Sequence, residues 1–506
     1  MVKTQKAVRL FSVMNFRLLC LVTGIMIFLN PVFGSKFIYT HSLNEAQQHL
    51  AALRLTKALQ MVKSENIAFP DNVACDYLLL YIEFYKAMIH HHENGLAVFE
   101  KLKNSTHERI KTLSDENPSK LYLLGSIHLQ GALVKSVYNE YVSAALEFRS
   151  AYQFLNQNHK KFPAYLSTYK DLGALQALLG TFPDNYKWIV SLAGLSGSFE
   201  EGIKMLHNYI LQASKEPLIE QQQAAIFYTL IQLNFGTDKS LAWNFYEHYS
   251  KDYSVNLMQN YVRAYVAGKC AHNDEAIATL HAKPATSDYE VIHYMDYLMG
   301  NYLLNKLDME GAVWLKKYII FNPTKYSVKE SYQRLAWCSL MQKDTLKFMV
   351  YHNLMQKRGR APGSEEKLVN ADLAIGIYPN IQLIKARLLF DGGYYSKADG
   401  MLNSMNPFVL PGKFQRMEYE YRIARIAHEQ KNWAKAIKYY GNTIDRAKKM
   451  DTYLAPNACL QLGLIYMNLH YNENAKVYLR KVSTYKNYDY KSSIEQKAKA
   501  ALLQLE

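Results

Sequence analysis

Proline and glycine are scarce, at 13 and 23 of 506 residues. Few stretches alternate apolar and polar residues at the two-residue period of a strand. A chain with so few turn-formers and so little alternation is not a barrel or sandwich of short strands, and an all-α fold is expected. Cysteine is scarcer still. Cys20 lies in the amino-terminal apolar run. Cys75, Cys270, Cys338 and Cys459 are far apart and form no C-x-x-C pair, which excludes zinc-ribbon and redox-motif chemistry. Each of these four sits in an apolar helical context, such as Leu335-Ala336-Trp337-Cys338, and is expected as a small core residue. Their even number in a chain read as exported leaves disulfides open.

Catalytic signatures are also missing. There is no G-x-x-x-x-G-K-[ST], no G-x-S-x-G and no H-E-x-x-H. Gly194-Leu195-Ser196-Gly197 lacks the spacing of a nucleophile elbow, and neither His92-Glu93 nor His428-Glu429 has a second histidine four residues on. His90-His91-His92 invites a metal reading, but adjacent helical residues point about 100° apart and do not converge on one ion. A helix carboxy terminus attracts such side chains without any metal. The acidic pairs Glu200-Glu201 and Glu365-Glu366 fall at helix starts, where the dipole explains them. No catalytic, cofactor-binding or metal-ligating residue is assigned, and the chain is read as a non-enzyme. A hydrolase assembled from distant residues is the remaining enzymatic alternative.

What is present is apolar surface at helical spacing. Apolar residues make up 49% of the chain, and tyrosine is common, at 40. Tyrosine suits half-buried helix faces with one wet end, and recognition surfaces. The pattern is clearest over residues 417–482. One unit carries Ala424, Ala436 and Tyr440, and the next carries Gly463, Ala475 and Leu479. A small residue is followed twelve positions on by alanine, then four on by a large apolar side chain. This is the tetratricopeptide (TPR) pattern of helix, short turn and second helix. Small residues let the two helices approach, and large ones fill the gap to the next hairpin. A hairpin of this kind buries its apolar face only by stacking on neighbours, so an α-solenoid of TPR-like helical hairpins is expected.

The pattern extends, less regularly, along the chain. Residues 41–62 read as one helix, and 73–91 and 164–180 as others. Units centre on Ala144 with Gly131, Ala132, Phe148 and Ala151, on Ala242 with Tyr246, on Ala276 with Leu280, and on Ala312 near Gly300. Three more follow at Ala398, Ala436 and Ala475. Arg358-Gly359-Arg360-Ala361-Pro362-Gly363-Ser364 is the clearest linker. The chain is therefore divided into 1–34, a signal peptide; 35–360, a divergent TPR-like array; and 361–506, a basic carboxy-terminal TPR array.

The amino terminus reads as an export signal. Lys3, Lys6, Arg9 and Arg17 precede the apolar run Leu18 to Leu29, which Asn30 and Pro31 break before Val32-Phe33-Gly34. The run is shorter than the roughly 20 residues of a membrane span. Cleavage after Gly34 into a periplasm-like compartment is expected, with an uncleaved anchor as the alternative. Cys20 lacks the small residue of a lipoprotein box just before it. Residues 35–340 are charge-neutral, whereas 341–506 carry a net +11. A basic region suggests an acidic protein, a phospholipid surface or a nucleic acid as partner, and export makes nucleic acid the last of these.

The stretch Pro183 to Leu206, PDNYKWIVSLAGLSGSFEEGIKML, places Gly-Leu-Ser-Gly between two apolar helical segments. It resembles the tetratricopeptide repeat protein 39 and inclusion-body clearance family of eukaryotes, which has bacterial relatives. That resemblance implies an all-helical TPR array, an adaptor role and no enzymatic activity. The export signal departs from it, so cytosolic roles do not transfer. Read physically, Gly194 and Gly197 suit a tight turn and Gly202 a close helix contact.

A partner groove follows from the register. Aligning Ala398, Ala436 and Ala475 puts Arg387, Arg425 and Leu464 at one position of the concave face, Leu383, Tyr421 and Leu460 at a second, and Phe390, His428 and Met467 at a third. Arginine grips carboxylates with two prongs, so an acidic peptide or protein is the expected partner. Glu418 stands where chaperone-tail-binding TPRs place a lysine. Pairing of Arg387 with Asp391 and of Arg425 with Glu429 along the same helix is the structural alternative. The functional expectation is an exported scaffold for protein–protein interaction, without cofactor and with membrane-surface contact open. The alternative is a carbohydrate-capturing protein of the outer-membrane uptake type.

Overall fold

The computed structural model describes residues 35–181, 197–236, 238–322, 327–358, 364–447 and 450–505. The signal-peptide reading of 1–34, residues 183–196 of the family-like stretch, with Gly194, and linker residues 359–363 lie outside the described residues. Among the described residues the chain forms 24 α-helices and no strand, as an all-α solenoid requires.

The helices run as antiparallel hairpins of an inner helix and an outer one. These are α1 (His41–Ala51) with α2 (Leu55–Ala68), α3 (Val73–His90) with α4 (Gly95–Lys111), and α5 (Pro118–Val137) with α6 (Tyr141–Lys161). Then come α7 (Ser167–Gly180) with α8 (Phe199–Gln212), α9 (Leu218–Phe235) with α10 (Lys239–Tyr249), and α11 (Leu257–Lys269) with α12 (Asn273–His281). They are followed by α13 (Tyr294–Asn305) with α14 (Gly311–Phe321) and α15 (Val328–Met341) with α16 (Thr345–Lys357). A single helix, α17 (Ser364–Ala374), precedes α18 (Ile381–Asp391) with α19 (Tyr395–Asn403), α20 (Lys413–Glu429) with α21 (Trp433–Arg446), and α22 (Leu454–Asn468) with α23 (Asn472–Val482). The last helix, α24 (Lys491–Leu503), caps the array.

The small-residue register is visible in the packing. Ala264, Ala276 and Leu280, Ala386, Ala398 and Leu402, and Ala424, Ala436 and Tyr440 are all buried. A Cβ on Gly463 would lie 2.5 Å from the Leu479 side chain, so that inner helix touches its partner through bare backbone. Gly202 behaves as expected, since a Cβ there would lie 2.5 Å from the carbonyl oxygen of Gly173. The unit placed at Ala312 shifts by one residue. Gly311 faces Gly300 across the α13–α14 interface, at 2.5 Å from its carbonyl oxygen to the added Cβ, and Ala312 is only half-buried. The spacing from Gly300 is thus eleven, and Leu315, four residues after Gly311, is the buried large residue of the unit.

The 41–62 helix is two helices. Leu53 takes φ 62° and turns the chain between α1 and α2. The same device recurs in the hairpin turns at Asn139, Ala271, Leu307, Lys343, Lys431, His470 and Gly393. In each case the following N–H bonds to the carbonyl five residues back, as Arg54 does to His49 at 2.8 Å and Tyr471 to Tyr466 at 2.8 Å. This closes the inner helix in a Schellman turn.

The hairpins wind tightly. Helix α9 packs against both α1 and α7, and α18 packs against both α13 and α15. The α18–α19 turn reaches back to the start of α12, where the Tyr394 hydroxyl donates to Asp274 Oδ1 at 2.9 Å and accepts from Asn273 Nδ2 at 3.1 Å. A core of Ala336, Trp337, Leu340 and Phe348 with Ile384 and Leu388 joins residues on both sides of position 360. Helix α24 buries Ile494, Ala498 and Ala501 on the last hairpin, and Gln496 Nε2 donates to the Thr181 carbonyl at the end of α7.

Candidate partner-binding groove

The residue just after the small residue of each inner helix recurs at one register position along the array. From α11 to α22 it reads Tyr265, Asn301, Trp337, Arg387, Arg425 and Leu464. Arg387 and Arg425 are half-buried. Each guanidinium lies over an aromatic ring of the preceding inner helix, Arg387 over Trp337 at 4.9 Å and Arg425 over Phe390 at 4.7 Å. Arg334, one turn before Trp337 on the same helix, lies over that ring too, at 5.5 Å. Stacking of this kind holds the planar cation in place.

The hydrogen bonds of Arg425 leave part of its guanidinium unused. Arg425 Nη1 donates to the Tyr421 hydroxyl at 3.2 Å, and its buried Nε has no partner among the described residues. Burial works against the charge of Arg425, yet the hydroxyls of Tyr421 and Tyr440 and the Glu429 carboxylate hold its pKa above the usual value. Asp391 pairs across helices with Arg334, Oδ2 to Nη2 at 3.5 Å, and Arg334 Nη1 also donates to Asn305 Oδ1 at 2.9 Å.

The other expected groove residues divide. Tyr421 is 1% exposed and belongs to the hairpin core, as do Leu383 and Leu460, each also 1% exposed. That register position sits four residues before the arginines and faces the outer helix, so Tyr421 reaches the groove only through Arg425. Phe390 is buried and serves as the platform beneath Arg425. His428 is half-buried and edge-on to Trp433 and Tyr440, at 5.6 and 6.1 Å. Burial first, then the charge of Arg425, pushes its pKa down to about 4, so the ring is neutral at pH 7. Met467 packs partly buried against the last core. Glu418 is taken up by Arg422 at 2.8 Å.

Arg334 and Trp337 were missed by the register. Phe348 fills the place that alanine holds in neighbouring hairpins, opposite Ala336, so this unit shows no small-residue signature.

Polar groups elsewhere are consumed by the fold. Lys170, fully buried, meets Asp171 Oδ1 at 2.5 Å and Glu220 Oε2 at 2.9 Å, and Tyr122 donates to Glu220 at 2.5 Å. Glu147 gathers Lys103, Lys135 at 2.8 Å and His128 at 2.6 Å. Of the three adjacent histidines, His90 pairs with Glu290 at 2.9 Å, His91 bonds the Met88 carbonyl at 2.8 Å, and His92 stacks on His90. No group of three or more metal-ligating side chains converges among the described residues. The four cysteines are free thiols, and burial pushes Cys75 up to about 12 and Cys459 to about 11. No described helix is long and apolar enough to cross a membrane.

No family model matches the chain, and no curated protein matches it either. Among solved structures it is similar to the TPR domain of P58(IPK), at 14% identity, covering 92% of this chain and 98% of that one, with a TM-score of 0.20. A likeness at that score carries no argument, and the chain's own hairpins define it as a TPR-like α-solenoid.

Proposed function

We propose that this chain is an exported scaffold that holds an acidic peptide or protein segment in its concave groove, through Arg387 and Arg425. The observation that carries this reading is the pair of guanidinium groups stacked on Trp337 and Phe390, at 4.9 and 4.7 Å, one step apart on successive inner helices. Neighbouring helices in such an array stand about 8–10 Å apart. An extended peptide rises about 3.3 Å per residue and points alternate side chains to one side, so carboxylates two residues apart come within reach of both arginines. Asp391 pairs with Arg334 of a neighbouring inner helix, and Arg425 donates to the Tyr421 hydroxyl. Export rests on the charged, then apolar, then small-residue order of 1–34, and amino-terminal sequencing of the secreted chain checks it.

The groove is tested with a fluorescent oligoglutamate peptide and the Arg387→Gln/Arg425→Gln variant. The parent chain binds the peptide, more weakly as salt rises, and the variant loses about tenfold or more in affinity with a flatter salt dependence. Equal binding by a folded variant removes the arginines from the site.

A further inference from the structure

Two loops present apolar side chains to water at one edge of the array. The connections 375–380 and 404–412 lead into the inner helices α18 and α20, so both lie at the edge where inner helices begin. Ile375 is 74% exposed and Tyr378 40%, while Phe408 is 84% exposed and Val409 73%. Single exposed apolar residues are ordinary on a protein surface. These four are not scattered, because both loops are fastened to the first turn of α20. Gln415 Nε2 donates to the Tyr378 carbonyl at 2.9 Å. Arg416 donates from Nε to the Leu410 carbonyl at 3.0 Å and from Nη2 to the Phe408 carbonyl at 3.3 Å. The end of α17 also touches the second loop, since a Cβ on Gly412 would lie 3.1 Å from Asp372 Oδ2.

The exposure is built into the second loop. Pro407–Val409 form a single tight helical turn capped by Asn406, whose Oδ1 accepts from the Phe408 N–H at 3.0 Å. Leu410, 2% exposed, anchors the loop in the core of α18 and α19. With Leu410 turned in and its carbonyl held by Arg416, Phe408 and Val409 stay in water. An unrestrained loop would fold such side chains back onto apolar surface. A loop held open in this way is preorganised for a contact and loses little freedom when the contact forms. The charges beside it are mainly positive. Lys413 and Arg416 are exposed, and neither is ion-paired among the described residues. Asp372, the acid that faces the loop, is half-buried. Both cations belong to the region 341–506 that carries the net +11.

Protruding apolar tips with cations close behind them match an anionic lipid surface. Phe, Val and Ile side chains enter the boundary of the acyl chains, while Lys and Arg reach the phosphates. Tyrosine suits the layer between, with an apolar ring and a polar end. A protein partner must offer a matching pocket to each tip, whereas a bilayer takes them without one and supplies anions for both cations. We propose that Ile375, Tyr378, Phe408 and Val409 form a wedge that enters the headgroup region of an anionic phospholipid bilayer, with Lys413 and Arg416 on the phosphates. The contact is peripheral, made by loop side chains, and it uses none of the groove residues.

The test is co-sedimentation of the full chain with phosphatidylglycerol–phosphatidylcholine vesicles and with vesicles of phosphatidylcholine alone. The parent is expected to bind the neutral vesicles about tenfold or more weakly than the anionic ones. Phe408→Ser/Val409→Ser changes only exposed side chains and so keeps the fold. It is expected to lose about tenfold or more in affinity for the anionic vesicles. In Phe408→Trp, brominated acyl chains are expected to quench a fluorescence component that the parent lacks. If the serine variant binds anionic vesicles as the parent does, the basic surface adsorbs without a wedge and the proposal is overturned. Equal binding of the parent to both compositions overturns the role of Lys413 and Arg416. A parent that binds neither vesicle overturns the whole proposal. If that parent also sediments as an oligomer that the serine substitutions dissociate, the loops are a contact between copies of the chain instead.

Discussion

At the scale of single residues, the fold's strongest polar commitments lie away from the groove. Glu147 is buried, and burial alone would raise its pKa. The hydrogen bond from His128 and the charges of Lys103 and Lys135 outweigh that and hold it at about 2. Its ionised form is therefore stabilising at full strength above the unfolded value of about 4.3, and the contribution is lost as pH falls toward 2. Glu147→Ala leaves Lys103 buried without its counter-charge and is expected to cost about 3–5 kcal/mol in urea unfolding. Replacing Lys103 and Glu147 together by methionine and leucine is expected to recover most of that. His428 runs in the same direction for a different reason. Its folded pKa of about 4 lies below the unfolded value of about 6.5, so its neutral ring contributes above pH 6.5 and the contribution fades as pH falls through 4. Melting temperatures of parent and His428→Asn, compared from pH 7 to pH 4, should show the smaller acid loss in the variant. Parallel curves would show that His428 titrates as an exposed histidine.

At the scale of helices and hairpins, close packing of Ala436 and Ala475 sets how near each outer helix comes. Ala436→Leu and Ala475→Leu each add bulk to a fully buried contact and are expected to cost about 1–3 kcal/mol in chemical denaturation of the full chain. Unchanged midpoints in both would mean the small residues do not mark the interface. These contacts were legible in the sequence because small side chains at a spacing of twelve are rare by chance and follow from one cause. The hairpin turns were not legible. Leu53, Lys343 and Lys431 adopt left-handed backbone with no glycine to announce it, so 41–62 reads as an unbroken helix. Such residues persist because the Schellman bond and the packing around it offset the roughly 1–2 kcal/mol of left-handed strain. The α15–α16 unit was hidden for the opposite reason, since Phe348 restores by volume what its neighbours achieve with alanine. In the groove, Arg387 and Arg425 could be placed by register alone. Their aromatic platforms could not, because Trp337 and Phe390 lie on the preceding inner helix, far off in sequence, and leave no local pattern.

At the scale of the whole array, the winding is set by contacts between hairpins that are not neighbours in the chain. One contact between successive turns is open to a clean test. Gly393 has φ 81°, and a Cβ there would lie 2.2 Å from the Ala271 carbonyl oxygen. The adjacent Tyr394 binds Asp274 and Asn273, so this turn fastens α18–α19 to α11–α12. Gly393→Ala meets two penalties, left-handed strain of roughly 1–2 kcal/mol and a backbone clash that only movement of the turn relieves. The variant is expected to lose about 2 kcal/mol or more of stability and to show a larger radius of gyration by small-angle scattering. Tyr394→Phe, which keeps the shape and removes the hydrogen bonds, separates the two effects, since it should destabilise by about 1 kcal/mol without expanding the chain.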